Sequence, residues 1–133
     1  AIMTYASRTD LEARYGEDEI AQRESMLPTG AVERALADAD AEIDSYVASR
    51  YTVPLSPVPQ VIPRLACAIA RYHLLGDSAT ETARKDYEDA RAWLRDLHSG
   101  RALLEGATPL SGTSPARTVE IATREKLFSG GLR

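Results

Sequence analysis

The chain has one cysteine, Cys67, and two histidines, His73 and His98, among 133 residues. A single thiol excludes an intramolecular disulfide and any zinc site built from several cysteines, and two imidazoles offer few other metal ligands. Cys67 stands between alanines and aliphatic residues, which predicts a small buried hydrophobic side chain. We therefore expect a fold that needs no disulfide, metal or cofactor.

Aromatic residues make up only 6% of the chain, and Lys and Arg number 16 against 20 Asp and Glu. General nucleic-acid binding requires an excess of basic residues, so the net negative charge argues against that class of function. No apolar run approaches the roughly 20 residues of a membrane-spanning helix. The N-terminus also lacks the basic and apolar regions of a secretion signal. These shortages predict a soluble intracellular protein without membrane contact.

Alanine is abundant, with 21 copies, and much of the apolar content is therefore small and favours helices. Ser7 and Asp10 have the spacing of a capping box, which predicts a short helix over 7–15. Acidic residues after Gly16 predict a second short helix, anchored by Ile20. The N-terminal part of the chain should thus contain two short helices.

Apolar residues recur at helical spacing in three longer segments, over about 30–50, 61–75 and 79–98. The last should begin with a capping box at Ser78–Glu81. The prolines of segment 51–59 predict an extended connector between the first two. The expected inward-facing residues are Val32, Leu36, Ala39, Ile43, Tyr46 and Arg50 in the first helix, Ile62, Leu65, Ala66, Ile69, Ala70 and His73 in the second, and Ala83, Tyr87, Ala90, Leu94 and Leu97 in the third. The fold class is all-α, a small bundle of three long helices plus the short N-terminal ones.

The composition changes after residue 100, where glycine, proline, serine and threonine become frequent. We divide the chain into a helical body, residues 1–104, and an extended C-terminal arm, residues 105–133. Residues 118–122 alternate as a short strand would. The arm cannot form a core of its own. We expect disorder in the free monomer, and we expect the large apolar residues of the arm to become ordered against a partner. They are Val119, Ile121, Leu127, Phe128 and Leu132.

One face of the first long helix carries only acidic and small residues, which fits either solvent or close contact with a neighbouring helix, and this face is our candidate for contact with a neighbouring subunit. The candidates are Glu33, Ala37, Asp40 and Asp44. The run from Asp38 to Asp44 could also suggest a divalent-cation loop. Residues two apart on a helix point about 200° apart, however, so these carboxylates should not converge on one ion.

No nucleophile elbow, phosphate-binding loop, dinucleotide fingerprint or zinc spacing occurs in the chain. His73 and His98 are more readily explained as a core or boundary residue and a helix C-terminal residue than as catalytic groups. The chain has four tyrosines on or beside the long helices, Tyr46, Tyr51, Tyr72 and Tyr87. We expect their rings to pack at the edge of the core with the hydroxyl groups in water, and a ligand-binding cage is the alternative. We expect no enzymatic activity.

Several segments together resemble a known family. They are Tyr5–Gly16, Val32–Ala39, Ile43–Tyr46, Arg50–Leu55, Pro59, Arg64–Tyr72, Lys85–Ala90 and Trp93-Leu94. Their order is similar to that of the head-tail connector proteins of Mu-like bacteriophages and prophages, over roughly residues 3–104. The resemblance implies an all-helical adaptor of the virion neck, present in the host cytoplasm during assembly. It also implies a ring of twelve copies that binds the portal protein and joins the head to stopper or tail-completion proteins.

The implied ring would let DNA pass through its lumen without binding it specifically.

Two other classes of function remain open from the residues alone. One is a small soluble helical regulator or peptide-binding module. The other is a hydrolase with a carboxylate pair, which is the least favoured because no two acids share an apolar face.

Overall fold

The structure, a computed structural model, describes residues 4–109. Over that range the chain forms five α-helices, with a 3₁₀ turn at Gly76–Ser78. They are α1 (Arg8–Tyr15), α2 (Glu17–Glu24), α3 (Ala31–Val47), α4 (Val61–Leu75) and α5 (Glu81–Ser99). The prediction of an all-α fold with three long helices after two short ones is confirmed. Among these residues, no helix combines the length and the apolar character that a membrane crossing requires.

The core lies between the three long helices, and most of the predicted inward-facing residues are buried there. The buried set includes Val32, Leu36, Ala39, Ile43, Ile62, Leu65, Ala66, Cys67, Ile69, Ala70, Ala83, Ala90, Leu94 and Leu97. Four residues of the predicted stripes do not belong to it. Tyr46 and Tyr87 are only partly buried and pack against the edge of the core. Arg50 lies beyond the end of α3, and His73 is exposed near the end of α4. In α4 the next residue, Leu74, is buried instead of His73, and in α3 the last buried residue is Val47.

The two short helices pack against α4 and are fixed there by arginines. Arg71 of α4 donates two hydrogen bonds to Glu19 of α2, at 2.9 and 3.2 Å. Its guanidinium also lies 4.3 Å from the ring centre of Tyr15. Arg23 of α2 donates to the carbonyl oxygens of Leu74, at 2.6 Å, and Leu75, at 3.1 Å, which have no partner within α4. Side chains from one helix thus complete the end of another.

The helix starts agree only partly with the predicted caps. Ser7 and Asp10 form the predicted capping box of α1, with reciprocal side-chain and backbone bonds. The predicted box at Ser78 is wrong, because Ser78 lies in the 3₁₀ turn before α5. Thr80 caps α5 instead, and its hydroxyl accepts a 3.1 Å bond from the amide of Ala83.

The proline-rich connector bends between α3 and α4 instead of running straight, and it contributes Leu55 to the core. The hydroxyl of the buried Tyr51 accepts a 2.9 Å hydrogen bond from the amide of Leu104. Thr52 donates its amide to the carbonyl of Thr108 at 2.9 Å. The chain after α5 therefore returns along the connector, up to the last described residue, Pro109.

Candidate functional site

The acidic face of α3 has two parts with different surroundings. Glu33 and Ala37 are exposed, whereas Asp40 and Asp44 are partly buried and accept hydrogen bonds from Tyr5. The amide of Tyr5 donates to both oxygens of Asp40, at 3.0 and 3.2 Å, and its hydroxyl donates to Asp44 at 2.6 Å. Asp40 and Asp44 thus hold the N-terminal segment, and the contact of all four residues with a neighbouring subunit stays a prediction.

Burial changes the acidity of this part of the face. It raises the pKa of Asp40 to about 6, and the nearby charge of Asp44 acts in the same direction, while the amide of Tyr5 opposes the shift. Burial and the bond to Asp44 also raise the pKa of the Tyr5 hydroxyl, so that it stays a proton donor at neutral pH. The arrangement suits the attachment of a chain segment, because the donors of Tyr5 are matched to acceptors one helical turn apart.

Glu42 points away from these acids and joins the three long helices. It accepts a 3.0 Å hydrogen bond from the hydroxyl of Tyr87, and Nε2 of His73 lies 3.4 Å from its other oxygen. The ring of Tyr87 stacks on that of Tyr72, with 4.2 Å between ring centres. Burial and the bond to Glu42 raise the pKa of Tyr87 to about 12. His73 therefore lies at the surface as a polar partner of Glu42, and not in the core.

Glu42 therefore points away from Asp40 and Asp44, as the two-residue spacing predicted, whereas Asp40 and Asp44, four residues apart, both face Tyr5. Within residues 4–109, no group of three or more His, Cys, Asp and Glu side chains could hold a metal ion. Cys67 is buried as predicted, and its burial raises the pKa of the thiol to about 11. The Nδ1 atom of His98 lies 3.2 Å from the hydroxyl of Ser49, at the end of α5.

A surface groove that the sequence pattern did not reveal runs beside Trp93 of α5. It consists of two adjoining cavities of about 480 and 520 Å³, which share Val61 and Trp93 in their walls. The first is lined mainly by α4, α5 and the end of α1. The second is lined by the connector and by the chain after α5, and includes Val58 and Leu103, which are 41% and 45% exposed. We call Val58, Val61, Trp93 and Leu103 the Trp93 patch.

Charged residues border the apolar part of this groove. Asp86, Asp89 and Glu105 supply three carboxylates, and Arg14 and Arg64 supply two guanidinium groups. A mixture of apolar and charged groups in an open groove suits a peptide segment better than a small apolar ligand. In the sequence Trp93 stands directly before the predicted inward-facing Leu94, and nothing in the helical periodicity connected it with Val58 or Leu103.

The predicted partner-binding residues Val119, Ile121, Leu127, Phe128 and Leu132 lie outside the described residues. The described part of the predicted arm, residues 105–109, contacts the connector. The hydroxyl of Thr108 donates to the carbonyl of Ser56 at 3.3 Å, and Pro109 pairs with Tyr51 in an isolated antiparallel bridge. The described chain thus ends beside the connector, whose Pro57 and Val58 line the second cavity together with Glu105 and Gly106.

Comparison with known proteins identifies the class as a phage protein. A family model described as "Bacteriophage Mu, Gp36" matches residues 5–123. The chain belongs to this family. It is 40% identical over 104 residues to "Mu-like prophage FluMu protein gp36" of Haemophilus influenzae, with 74% of each chain covered. It is 38% identical over 105 residues to "Gene product J" of Escherichia phage Mu, again with 74% of each chain covered.

Proposed function

We propose that this chain is a structural protein of the phage particle, a head-tail connector that acts without catalysis. In this proposal twelve copies form a ring below the portal protein in the virion neck, after assembly in the host cytoplasm. The ring joins the head to stopper or tail-completion proteins. Membership of the Mu Gp36 family supports a role in a phage, and the resemblance of residues 3–104 to connector proteins supports the place in the neck.

The structural observation that carries the proposal is the presence of two unlike surfaces on one small helical body. One is the exposed part of the α3 face, with Glu33 and Ala37, and the other is the groove beside Trp93 on α4 and α5. A closed ring requires that one surface of each subunit meet a different surface of the next. A body with two chemically different surfaces satisfies that requirement.

The charge of the body also suits a ring through which DNA passes. Residues 4–109 contain 12 Lys and Arg against 18 Asp and Glu, a net charge of −6. Like charges repel, so an acidic lumen would not retain the phosphate backbone of passing DNA. DNA is therefore proposed to traverse the ring without being bound specifically.

Deletion of residues 118–133 tests the proposed role of the arm. We expect the truncated chain to keep the helical circular dichroism of the full chain and to fail to join portal-bearing heads to tails. A matched full-length variant replaces Val119, Ile121, Leu127, Phe128 and Leu132 with serine, which keeps length and charge. The same loss in both variants would assign the role to the apolar side chains, whereas normal joining by the truncated chain would exclude the arm from it.

The groove beside Trp93 favours one alternative, a small helical regulator that binds a partner peptide. The two functions differ in where the protein is found. A connector is a stoichiometric component of finished particles, while a regulator is absent from them. Quantitative mass spectrometry of purified particles, with a known capsid protein as internal standard, separates the two, and absence of this chain would favour the regulator.

A further inference from the structure

The Trp93 patch is an exposed apolar surface at the place where the described chain ends. Val58 and Leu103 stand at its rim, 41% and 45% exposed, and Trp93 lies between the two cavities. A segment that covers such a patch is stabilised there, because removing apolar surface from water contributes about 25 cal/mol per Å². The question is which segment covers it.

We propose that the patch is covered, in the free protein, by Leu127 and Phe128 of the same chain. Phe128 is the only phenylalanine in the protein, and it forms with Leu127 the largest adjacent apolar pair of residues 110–133. Two bulky apolar side chains are a suitable match for an apolar site flanked by charged residues. This inference concerns the free chain and goes beyond the proposed role in the virion.

The position of the chain end supports an occupant from the same molecule. Glu105 and Gly106 are part of the groove wall, and Thr108 bonds to Ser56, next to the proline and valine that line the second cavity. Residues 110–126 separate Pro109 from the apolar pair, and a linker of 17 residues has a root-mean-square span of about 20–25 Å. A segment tethered so close has an effective concentration of about millimolar, above that of a second molecule in dilute solution.

Charge favours the same occupant. Residues 110–133 contain four basic and two acidic side chains, a net charge of +2, against −6 for residues 4–109. Arg124 and Lys126, with Glu125 between them, come just before Leu127 and Phe128, and Asp86, Asp89 and Glu105 border the groove. Arg14 and Arg64 offset part of that negative charge, so the apolar contact supplies most of the attraction and charge adds to it.

Trp93 is the only tryptophan of the protein, so its fluorescence reports on this patch alone. The test compares the full chain with Leu127→Asp/Phe128→Asp and with Ser111→Asp/Thr113→Asp, which adds the same charge elsewhere in the segment. We expect the first variant, and not the second, to shift the emission of Trp93 to longer wavelength and to increase its quenching by acrylamide. Equal spectra for the two variants would overturn the proposal.

A disulfide experiment on the full chain tests whether the segment that covers the patch belongs to the same molecule. Leu103→Cys/Phe128→Cys is compared with Met26→Cys/Phe128→Cys, in which the first cysteine replaces another exposed residue, near the end of α2. Cys67 is buried and does not compete. Under mild oxidation we expect the Leu103 pair to close within one molecule several-fold faster than the Met26 pair. Equal rates, or a disulfide that forms mainly between molecules, would overturn the proposal.

Discussion

The hydroxyl of Tyr5 donates a 2.6 Å hydrogen bond to Asp44, a residue 39 positions further along the chain. The same oxygen accepts a 2.9 Å bond from the amide of Leu55 in the connector. The backbone amide of Tyr5 donates to Asp40, one turn before Asp44 on α3. One residue near the start of the described chain therefore ties together the N-terminal segment, α3 and the connector.

Replacement of Tyr5 by phenylalanine should weaken this junction. Asp44 and the amide of Leu55 would each lose a partner, so we expect the free energy of unfolding to fall by about 1–2 kcal/mol. Tyr15→Phe is the matched control, because the ring of Tyr15 packs under Arg71 and its hydroxyl forms no hydrogen bond with another residue of 4–109. Urea unfolding followed by circular dichroism measures the free energy of unfolding of both variants. Equal values for Tyr5→Phe and Tyr15→Phe would contradict a stabilising role of the Tyr5 hydroxyl.

The raised pKa of Asp40 gives a second prediction, on pH. Its pKa is about 6 in the folded protein, above the value of about 3.9 for an unfolded aspartate. Between these values the folded state binds the proton more tightly, so this residue stabilises the fold at low pH and that contribution is lost as pH rises towards and through 6. Asp40→Asn cannot ionise, and its amide oxygen can still accept the bond from Tyr5.

We therefore expect the stability of the original protein, measured relative to Asp40→Asn, to fall as pH rises from about 4 to 7 and to stay level above that. Chemical unfolding at several pH values provides the measurement. Asp38→Asn, which changes an exposed carboxylate on the same helix, is the control and should not alter the slope in this way. If both variants had the same pH dependence, the assignment to Asp40 would be wrong.

The end of α5 offers a third prediction. Gly100 has φ of +90°, and a Cβ atom there would lie 2.9 Å from Nη2 of Arg50, whose Nε donates to the carbonyl of His98. Gly106 has a similar φ of +83°, but nothing lies within 4 Å of a Cβ atom at that position. Gly100→Ala should therefore destabilise the protein more than Gly106→Ala, for which strain alone costs about 1 kcal/mol. Thermal unfolding of both variants measures the difference, and equal losses would show that Arg50 moves aside freely.

The exposed part of the α3 face leads to a fourth prediction, on ring formation. Ala37→Arg places a large charged side chain on a surface that is proposed to meet the next subunit, and we expect it to prevent the ring while the helical content stays unchanged. Ala92→Arg is the control, since Ala92 is an exposed alanine within α5. Negative-stain electron microscopy of portal-bearing heads incubated with each variant reads out the ring. A ring formed equally well by Ala37→Arg would exclude this face.

Local features of the sequence predicted most of the fold. Helical periodicity and a proline boundary indicated a helix over 61–75, and α4 spans those residues. The capping box at Ser7 was also recognisable, because both of its partners lie within four residues. Both signals depend on neighbours in the chain, and for that reason they could be read without knowledge of the packing.

Contacts between distant residues could not be predicted in this way. Val58 and Leu103 line one cavity although 45 positions separate them, and neither belongs to a periodic segment. The bonds from Tyr5 to α3 likewise depend on how the N-terminal segment lies across the bundle. His73 was placed on the inward-facing stripe because it continued the apolar spacing of α4, but Leu74 is buried there instead, and His73 is exposed with Glu42 as its polar partner.

The most direct test of the connector proposal is an electron cryomicroscopy reconstruction of the neck of the phage particle that contains this protein. We predict a ring of twelve copies between the portal and the tail, with α3 of each subunit at the contact with its neighbour. Infectious, tailed particles whose neck contains no copy of this chain would contradict the proposal.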